Sequence, residues 1–527
     1  MNELRYQTQE NLNTIQIKLP LEISVKIKNT DPVVTFKEVM EGVNLKKYLV
    51  KQSNETRGRD GYDPEVLLKI VLFAYMINVR STRKIESLCQ NDIRLMYLSD
   101  EATPTHMTIC NFINTYLIDN IENISNDIVK YIIEKRNIDI RTIFIDGTKI
   151  EAFPNKYTWV WKNACITNRD KQFKYIEELF KKINNDDILA LNTWFEVKSI
   201  YNIEELEEYL NRLKELANNN NIKFVRGKGK RKKNIQKYYE KLKTIIGTLK
   251  EYANKIDKCG DGRNSYSKTD VDATFMRMKT DYMGNTALLP AYNWQLVTCG
   301  ELILYGLTAQ TASDGKCFIP LMNKYKEIFG YYPDKAVADA AYGNMENYRF
   351  CDNNKIGKYM KYQTWEKETH DKKFIEDPFR SVNFKKDSEG NMICPNNKRF
   401  FKLKEESVSK IDDRIVEYYQ CEDCSNCPFR DKCNKENHNR VIKINEELTS
   451  FHQEVINNLA SEEGIKLRCM RSSMSEGTFG VIKQDYNYKR ITRKTLKKVN
   501  LEFYLIIIGF NLAKYHNLKN RLEYLPC

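Results

Sequence analysis

The chain has little that would mark a membrane or secreted protein. No stretch resembles a secretory signal, and the longest apolar run, Phe503 to Phe510, falls far short of the roughly 20 residues a membrane span needs. The expectation is a soluble, cytoplasmic protein. No fixed-period repeat is present, so a solenoid is not indicated. There is no P-loop: Arg226-Gly-Lys-Gly-Lys230 lacks the Gly-x4-Gly-Lys-Ser/Thr pattern, and ATP use is not indicated. The five histidines show no pairing that suggests a catalytic triad or a zinc hydrolase. Cysteine is sparse outside one stretch. Of 14 cysteines, five crowd between Cys394 and Cys433, which argues against a disulfide scaffold and for a metal site.

What is present suffices for folded domains. Hydrophobic residues make up 41% of 527 and charged residues 30%, so packed cores are expected and wholesale disorder is not. The length argues for two to four domains. Lys and Arg number 85 against 71 Asp and Glu, a net charge of +14 that favours a polyanionic partner such as nucleic acid.

Residues 1–60 are mixed, and Val33-Val34-Thr35-Phe36 reads as a short strand. Pro64 opens a helical pattern through Val66, Leu67, Ile70, Val71 and Phe73. A second helix runs from a Ser81 cap, a third covers Asp92 to Leu98, and Thr108 to Ile133 is helical again. Short helices around a basic turn (Arg80, Arg83, Lys84) suit either a DNA-binding module or a helical packing domain with a charged surface. Thr142 to Ile145 reads as a buried strand that ends at Asp146-Gly147. Between 166 and 258 charged amphipathic helices suggest a helical hairpin or short coiled coil. They are interrupted by Arg226, Lys228, Lys230, Arg231, Lys232 and Lys233, which read as a solvated loop or a phosphate-contacting one. Tyr292 to Thr298 and Leu302 to Ala309 flank Cys299-Gly300-Glu301 as a hairpin. Phe318 to Phe329 is a helix, Lys335 to Asp339 a short buried strand, and Asn344 to Asn353 a helix. Ser475 to Leu518 reads as helical with a basic middle that includes Lys489, Arg490, Arg493 and Lys494.

Two aspartates, Asp146 and Asp339, therefore sit at the ends of separate apolar strands, each followed by small residues. Carboxylates in such places suit Mg²⁺, and two ions about 3.5–4 Å apart promote attack on a phosphodiester. A third acid is needed, and Glu476 is the candidate: Glu476 and Lys483 are seven apart and share a helical face, so the lysine can neutralise a phosphate. Glu454, Glu462, Glu463 and Glu502 compete, with Glu502 reading as a packing or buried contact. The bland alternative is that these strand-end aspartates only begin turns, as many Asp-Gly pairs after strands do. Tyr157-Thr-Trp-Val-Trp161 suits stacking on an unpaired base or strand packing, and Tyr292, Asn293 and Gln295 suit DNA contact or hairpin packing.

Asp146-Gly-Thr-Lys-Ile-Glu-Ala, Ala338-Asp-Ala-Ala-Tyr-Gly and Glu476-Gly-Thr-Phe-Gly-Val-Ile-Lys483, in that order, resemble bacterial insertion-sequence transposases of the DDE class. Val79-Arg-Ser-Thr-Arg-Lys-Ile-Glu86, Met96-Tyr-Leu98, Thr105-His-Met-Thr108 and Ala291-Tyr-Asn-Trp-Gln295 resemble the same enzymes, so the likeness spans nearly the whole chain. Some members place a Tyr and an Arg ahead of the glutamate. Here those positions hold Cys469 and Ser472, with Arg471 the nearest substitute.

The resemblance implies an α/β chain with an RNase H-like catalytic core and an all-α N-terminal domain. It implies a helical DNA-binding region at 1–135 and core segments at 136–165, 266–353 and 465–527. A helical insertion would occupy 166–265 and a Cys-rich insertion 354–464. Asp146, Asp339 and Glu476 would hold Mg²⁺ or Mn²⁺, two ions in all. The activity implied is cleavage of double-stranded DNA at the element's ends and joining of the 3′-OH to target DNA. The protein would act as a homodimer or larger assembly, in the bacterial cytoplasm at the nucleoid. The alternatives are a transposase-derived DNA-binding protein without catalysis, and a metal-dependent nuclease that cuts without joining.

Cys421-x2-Cys424-x2-Cys427-x5-Cys433 places four thiolates in a short stretch, which suggests a structural Zn²⁺ site with Cys394 as a further ligand and His438 outside it. Iron–sulfur ligation fits the first three cysteines and Pro428, although the fourth is not at the ferredoxin distance. The remaining cysteines read as small buried residues.

Overall fold

The computed structural model describes residues 27–49, 61–186, 194–227, 230–278, 287–403, 407–408 and 415–523. Helix α1 (Pro32–Gly42) occupies the segment expected to hold a strand. Asp31 accepts from Val33 N at 2.9 Å and Pro32 sits in the first turn, where its missing N–H is no loss. Val33, Phe36, Val39 and Met40 then fall on one buried face. The cap and the 3.6-residue spacing outweigh the β-branched preference of Val33-Val34-Thr35. Helix α2 (Pro64–Met76) is built the same way on Asp63 and is buried along nearly its whole length. The helical region continues through α3 (Thr82–Asn91), α4 (Ile93–Leu98), α5 (His106–Phe112) and α6 (Ile121–Arg136). Asn137 closes α6 in the left-handed region at φ 48°, a conformation asparagine tolerates.

Strand β1 (Thr142–Glu151) follows. β2 (Trp159–Trp161) pairs with β3 (Ser265–Ser267), and between them lie α7 (Lys162–Asn184), α8 (Ile203–Asn219) and α9 (Asn234–Cys259). These are three helices rather than a hairpin, and they enclose an apolar core of their own around Phe180, Leu213 and Leu242. β4 (Thr274–Arg277), β5 (Leu288–Cys299) and β6 (Leu302–Ala309) come next, then α10 (Phe318–Phe329), β7 (Lys335–Ala338), α11 (Met345–Asn353) and β8 (Gly357–Met360). The β5–β6 turn holds Gly300 at φ 55° and Glu301 at φ 69°, the two positive values a two-residue hairpin of this twist requires.

The six-stranded sheet is mixed. Its order is β6-β5-β1-β7-β8, with β4 beside the first part of β5. β1 runs antiparallel to β5 and parallel to β7, and β7 runs parallel to β8.

After α12 (Trp365–His370) come the short strands β9 (Lys385–Lys386), β10 (Met392–Ile393), β11 (Phe400–Lys402), β12 (Ser407–Val408), β13 (Ile415–Cys421) and β14 (Val441–Ile444). The last four form a small sheet on β13. Helices α13 (Glu446–Ala460) and α14 (Glu462–Arg471) return to the main sheet, and the chain stays helical from α14 to Asp485.

The chain then leaves the helix. Lys489, Arg490, Arg493 and Lys494 lie in a non-helical segment, not on the basic helix expected from the sequence. Arg490 bridges in parallel to Glu151. Two left-handed residues, Asn487 at φ 49° and Thr495 at φ 71°, bound the segment and break the helix.

The last helix, α15 (Leu496–Glu523), is buried from Val499 to Leu512 and packs between α2, α6 and β6. A helix apolar on all sides belongs in an interior. Asn511 donates to Ile303 O at 2.7 Å and accepts from Ile303 N at 2.9 Å, so its amide completes the outer edge of β6. Among the described residues no helix is long and apolar enough to cross a membrane.

Candidate active site

β1 and β7 bring the two aspartates together. Their parallel register runs Thr142 with Lys335, Ile143 with Ala336 and Phe144 with Val337. Asp146 lies two residues beyond the last of these pairs, within β1, and Asp339 two residues beyond it, in the turn that follows β7. Both are half-buried. Asp146 accepts from Gly147 N at 2.9 Å, and Asp339 accepts from Ala341 N at 2.9 Å, which folds the chain after β7 into a tight turn.

Strand alternation puts Asp146 and Thr148 on one face of β1 and Gly147 on the other. Lys483 donates to Thr148 Oγ1 at 2.5 Å, so the helical stretch that carries Lys483 lies over the Asp146 face. The turn Ser472–Glu476 of that stretch packs on β1 and β5.

Glu476 itself is half-exposed. It accepts from Arg471 Nη2 at 2.9 Å and from Ser472 Oγ at 3.2 Å. Among the described residues no three His, Cys, Asp or Glu side chains are grouped so as to hold a metal ion. The aspartate pair presents hard oxygen donors beside small residues, which fits Mg²⁺ or Mn²⁺. Glu476 would have to turn from Arg471 to join it.

Glu502 is buried at the start of α15. It accepts from Tyr488 Oη at 2.6 Å, Thr492 Oγ1 at 2.8 Å and Arg493 N at 3.1 Å, so it anchors the non-helical segment. Glu454 and Glu463 pair with Lys358 and Lys335.

Several basic residues expected at DNA serve internal contacts. Arg80 donates to Tyr486 O at 2.7 Å and lies over the Tyr488 ring. Arg490 donates to Phe153 O at 2.6 Å, and Arg493 to Asn114 Oδ1 at 2.8 Å. Lys232 pairs with Glu240 at 2.5 Å. Arg83, Lys84, Arg226, Lys230, Arg231, Lys233, Lys489 and Lys494 are exposed, and Lys494 lies over the Phe153 ring. Lys228 lies outside the described residues. Tyr157, Phe153 and Trp159 are exposed. Asn293 and Gln295 are fully buried, which excludes the DNA contact considered for them and leaves the packing reading.

Cys394, Cys421 and Cys424 share a small buried core with Phe384, Phe400 and Ile442. Burial, then the neighbouring Cys424 and Cys394, push the Cys421 thiol up to about 12. Cys427 and Cys433 are half-buried, and Cys433 Sγ accepts from Arg440 Nη1 at 2.8 Å. His438 is exposed and pairs with Glu436.

Sequence reasoning missed Asp314, which accepts from Asn293 Nδ2 at 2.6 Å and Gln295 Nε2 at 2.9 Å behind the aspartate pair. The available signal was Asp314-Gly315, one of four Asp-Gly dyads in the sequence with 60–61, 146–147 and 261–262.

A family model described as a transposase DDE domain matches residues 393–516, which include Glu476, Lys483 and the cysteine cluster. A second, described as a transposase domain (DUF772), matches residues 21–115 in the helical N-terminal region. No curated protein and no solved structure matches the chain. The two matches, one at each end of the chain, support an insertion-sequence transposase of the DDE class.

Proposed function

We propose that this DNA transposase cuts phosphodiester bonds at the ends of its element and joins the freed 3′-OH to target DNA, with Asp146, Asp339 and Glu476 as its carboxylates. The observation that carries the reading is the placement of Asp146 and Asp339, each two residues beyond the last pair of the parallel β1–β7 ladder. The sheet order, with three antiparallel strands followed by two parallel to β1, supports an RNase H-like core. In this reading 166–265 and 354–464 are insertions in that core, and 1–135 is the DNA-binding region.

The aspartates would hold Mg²⁺ or Mn²⁺, which supplies polarisation of the scissile phosphate and activation of the attacking oxygen. Lys483, fixed on Thr148, neutralises a non-bridging phosphate oxygen beside Asp146. Arg471 binds backbone phosphate, and in doing so releases Glu476 towards the pair. The protein's part is thus positioning and charge neutralisation. Exposed Lys489 and Lys494, with Arg83 and Lys84, track the duplex backbone, and Tyr157 and Trp159 stack on an unpaired base near the cut. Two or more copies assemble on paired ends.

The test is a cleavage and strand-transfer assay with Mg²⁺ or Mn²⁺ on DNA that carries the flanking sequences of the gene. Asp146→Ala, Asp339→Ala and Glu476→Ala should each abolish cleavage and leave end binding within about threefold, because none is a phosphate-binding cation. A variant that still cuts would remove that residue from the set. Cutting without joining would point to a nuclease, and end binding without cutting, equal in wild type and variants, to a non-catalytic DNA-binding protein.

The cysteine cluster is assigned to zinc. Thiolates are its preferred ligands, and the small strands β9 to β14 have little apolar core of their own. Cys433 would turn from Arg440 to take part. Metal analysis of anaerobically purified protein should find about one zinc per chain and no iron, as a four-thiolate site holds. Iron would reassign the cluster, and absence of both metals would make these cysteines structural.

A further inference from the structure

The β1–β7 ladder ends at Phe144 and Val337, short of Asp146 and Asp339. The printed pairs fix the two strands up to that point. A largely buried polar chain lies beside both aspartates and can set their separation. Gln295 Nε2 donates to Asp314 Oδ1 at 2.9 Å and to Asn293 Oδ1 at 2.9 Å, and Tyr342 Oη donates to Gln295 Oε1.

The chain has a fixed direction. The Asp314 carboxylate serves as acceptor for both Asn293 and Gln295, so Gln295 turns its N–H groups to Asp314 and its carbonyl to Tyr342. Tyr342 must then donate. Burial first, and then the charges of Asp314, Asp146 and Asp339, hold its pKa well above the ordinary value, so the hydroxyl keeps its proton.

Two links of the chain, Gln295 and Tyr342, grip the two segments that matter. Gln295 stands opposite Gly147 in the β1–β5 register, and a Cβ on Gly147 would lie 2.1 Å from Gln295 Nε2. The carboxamide thus rests directly on the backbone beside Asp146, and only glycine leaves room for it. Tyr342 closes the turn that begins at Asp339, and Asn347 Nδ2 ties down Tyr342 O at 2.8 Å. Apolar side chains would fill the same space without the desolvation of buried amide, hydroxyl and carboxylate groups.

We propose that Asp314, Gln295 and Tyr342 are positioning residues: a directional hydrogen-bond relay that holds the Asp339 turn against the Asp146–Gly147 segment and sets the separation of the two aspartates. The proposal rests on the reading of those aspartates as the metal-holding pair.

Mn²⁺ binding to the DNA-free protein, measured by electron paramagnetic resonance, tests both layers beside the cleavage assay and a thermal melt. Tyr342→Phe and Gln295→Glu should each weaken Mn²⁺ binding about tenfold and raise the Mn²⁺ needed for half-maximal cleavage equally, as loss of an outer support does. Melting and end binding should stay near wild type in Tyr342→Phe. In Gln295→Glu two carboxylates face each other. The double variant Gln295→Glu/Asp314→Asn restores the relay, because the new amide at 314 donates to the new carboxylate at 295. It should return Mn²⁺ affinity to within about threefold of wild type, which mere packing would not predict.

Asp146→Ala is the control. Undiminished Mn²⁺ binding in Asp146→Ala would overturn the metal-pair reading itself. Loss there, with wild-type binding and cleavage in Tyr342→Phe and Gln295→Glu, would overturn the relay alone. So would a loss in Gln295→Glu that the double variant fails to restore.

Discussion

At the residue scale, His452 on α13 takes its chemistry from its neighbours. Its ring stacks on Tyr362 with centroids 3.7 Å apart and planes 4° from parallel. Burial lowers its pKa from the ordinary value of 6.5, and the charge of Glu368 only partly opposes this. The unfolded chain takes up a proton near pH 6.5 while the folded chain resists. Stability is therefore full above about pH 6.5 and declines as pH falls through that value towards the lower folded pKa. His452→Phe keeps the stack and removes the titration. Denaturant midpoints at about pH 7.5 and 5.5 should differ less in the variant than in wild type. Equal slopes in the two proteins would mean that the proton uptake lies elsewhere.

At the scale of elements, α15 determines how the helical region sits on the sheet. Its contacts are close on both sides. A Cβ on Gly306 of β6 would lie 2.5 Å from the Phe503 ring, and one on Gly509 would lie 2.5 Å from the Tyr75 carbonyl oxygen of α2. The second neighbour is backbone and cannot step aside. Gly509→Ala should therefore force α15 away from α2 and destabilise the protein by about 2–3 kcal/mol, the upper part of the overpacking range. A chemical denaturation curve reads this directly. An unchanged midpoint would show that the two helices slide apart freely. The segment between Asp485 and Leu496 is held from the same helix, because Glu502 gathers Tyr488, Thr492 and Arg493 onto it. That arrangement turns Arg493 inward, holds the exposed Arg490 along the Phe153 carbonyl and leaves Lys489 and Lys494 outward.

At the scale of the whole molecule, the surplus of positive charge divides into two populations. Exposed Lys489 can release counterions on DNA, whereas Arg80 and Arg493 join the helical region to the segment after Asp485. Lys489→Ala should reduce the slope of log affinity against log salt by about 1, with melting unchanged. Arg80→Ala and Arg493→Ala should lower the melting temperature by several degrees, as loss of a partly buried charged hydrogen bond does, with little change in that slope. Titrations of end DNA at several salt concentrations separate the two cases. A salt-slope change in Arg80→Ala equal to that in Lys489→Ala would return Arg80 to the DNA interface.

The sequence by itself determined the pieces whose causes are local. Thr142 to Ile145 reads as a strand because its β-branched, aromatic run suits a pleated surface, and Cys299-Gly300-Glu301 reads as a hairpin because Gly300 supplies a turn between two apolar runs. Asp146 and Asp339 were legible as strand-end carboxylates for the same reason. Val33 to Phe36 was not legible as a helix, since its β-branched residues point one way and the Asp31-Pro32 cap the other. Lys489 to Lys494 read as helix because nothing nearby shows that Glu502 will draw the backbone out of it. The tertiary structure alone decided that Asp146 and Asp339 stand side by side, through a parallel pairing formed by chain crossing. It alone brought Gln295 to Asp314 and Tyr342, 19 and 47 positions away. Side-chain hydrogen bonds across such separations depend on register, and one residue of slip would turn Gln295 to the other face of β5.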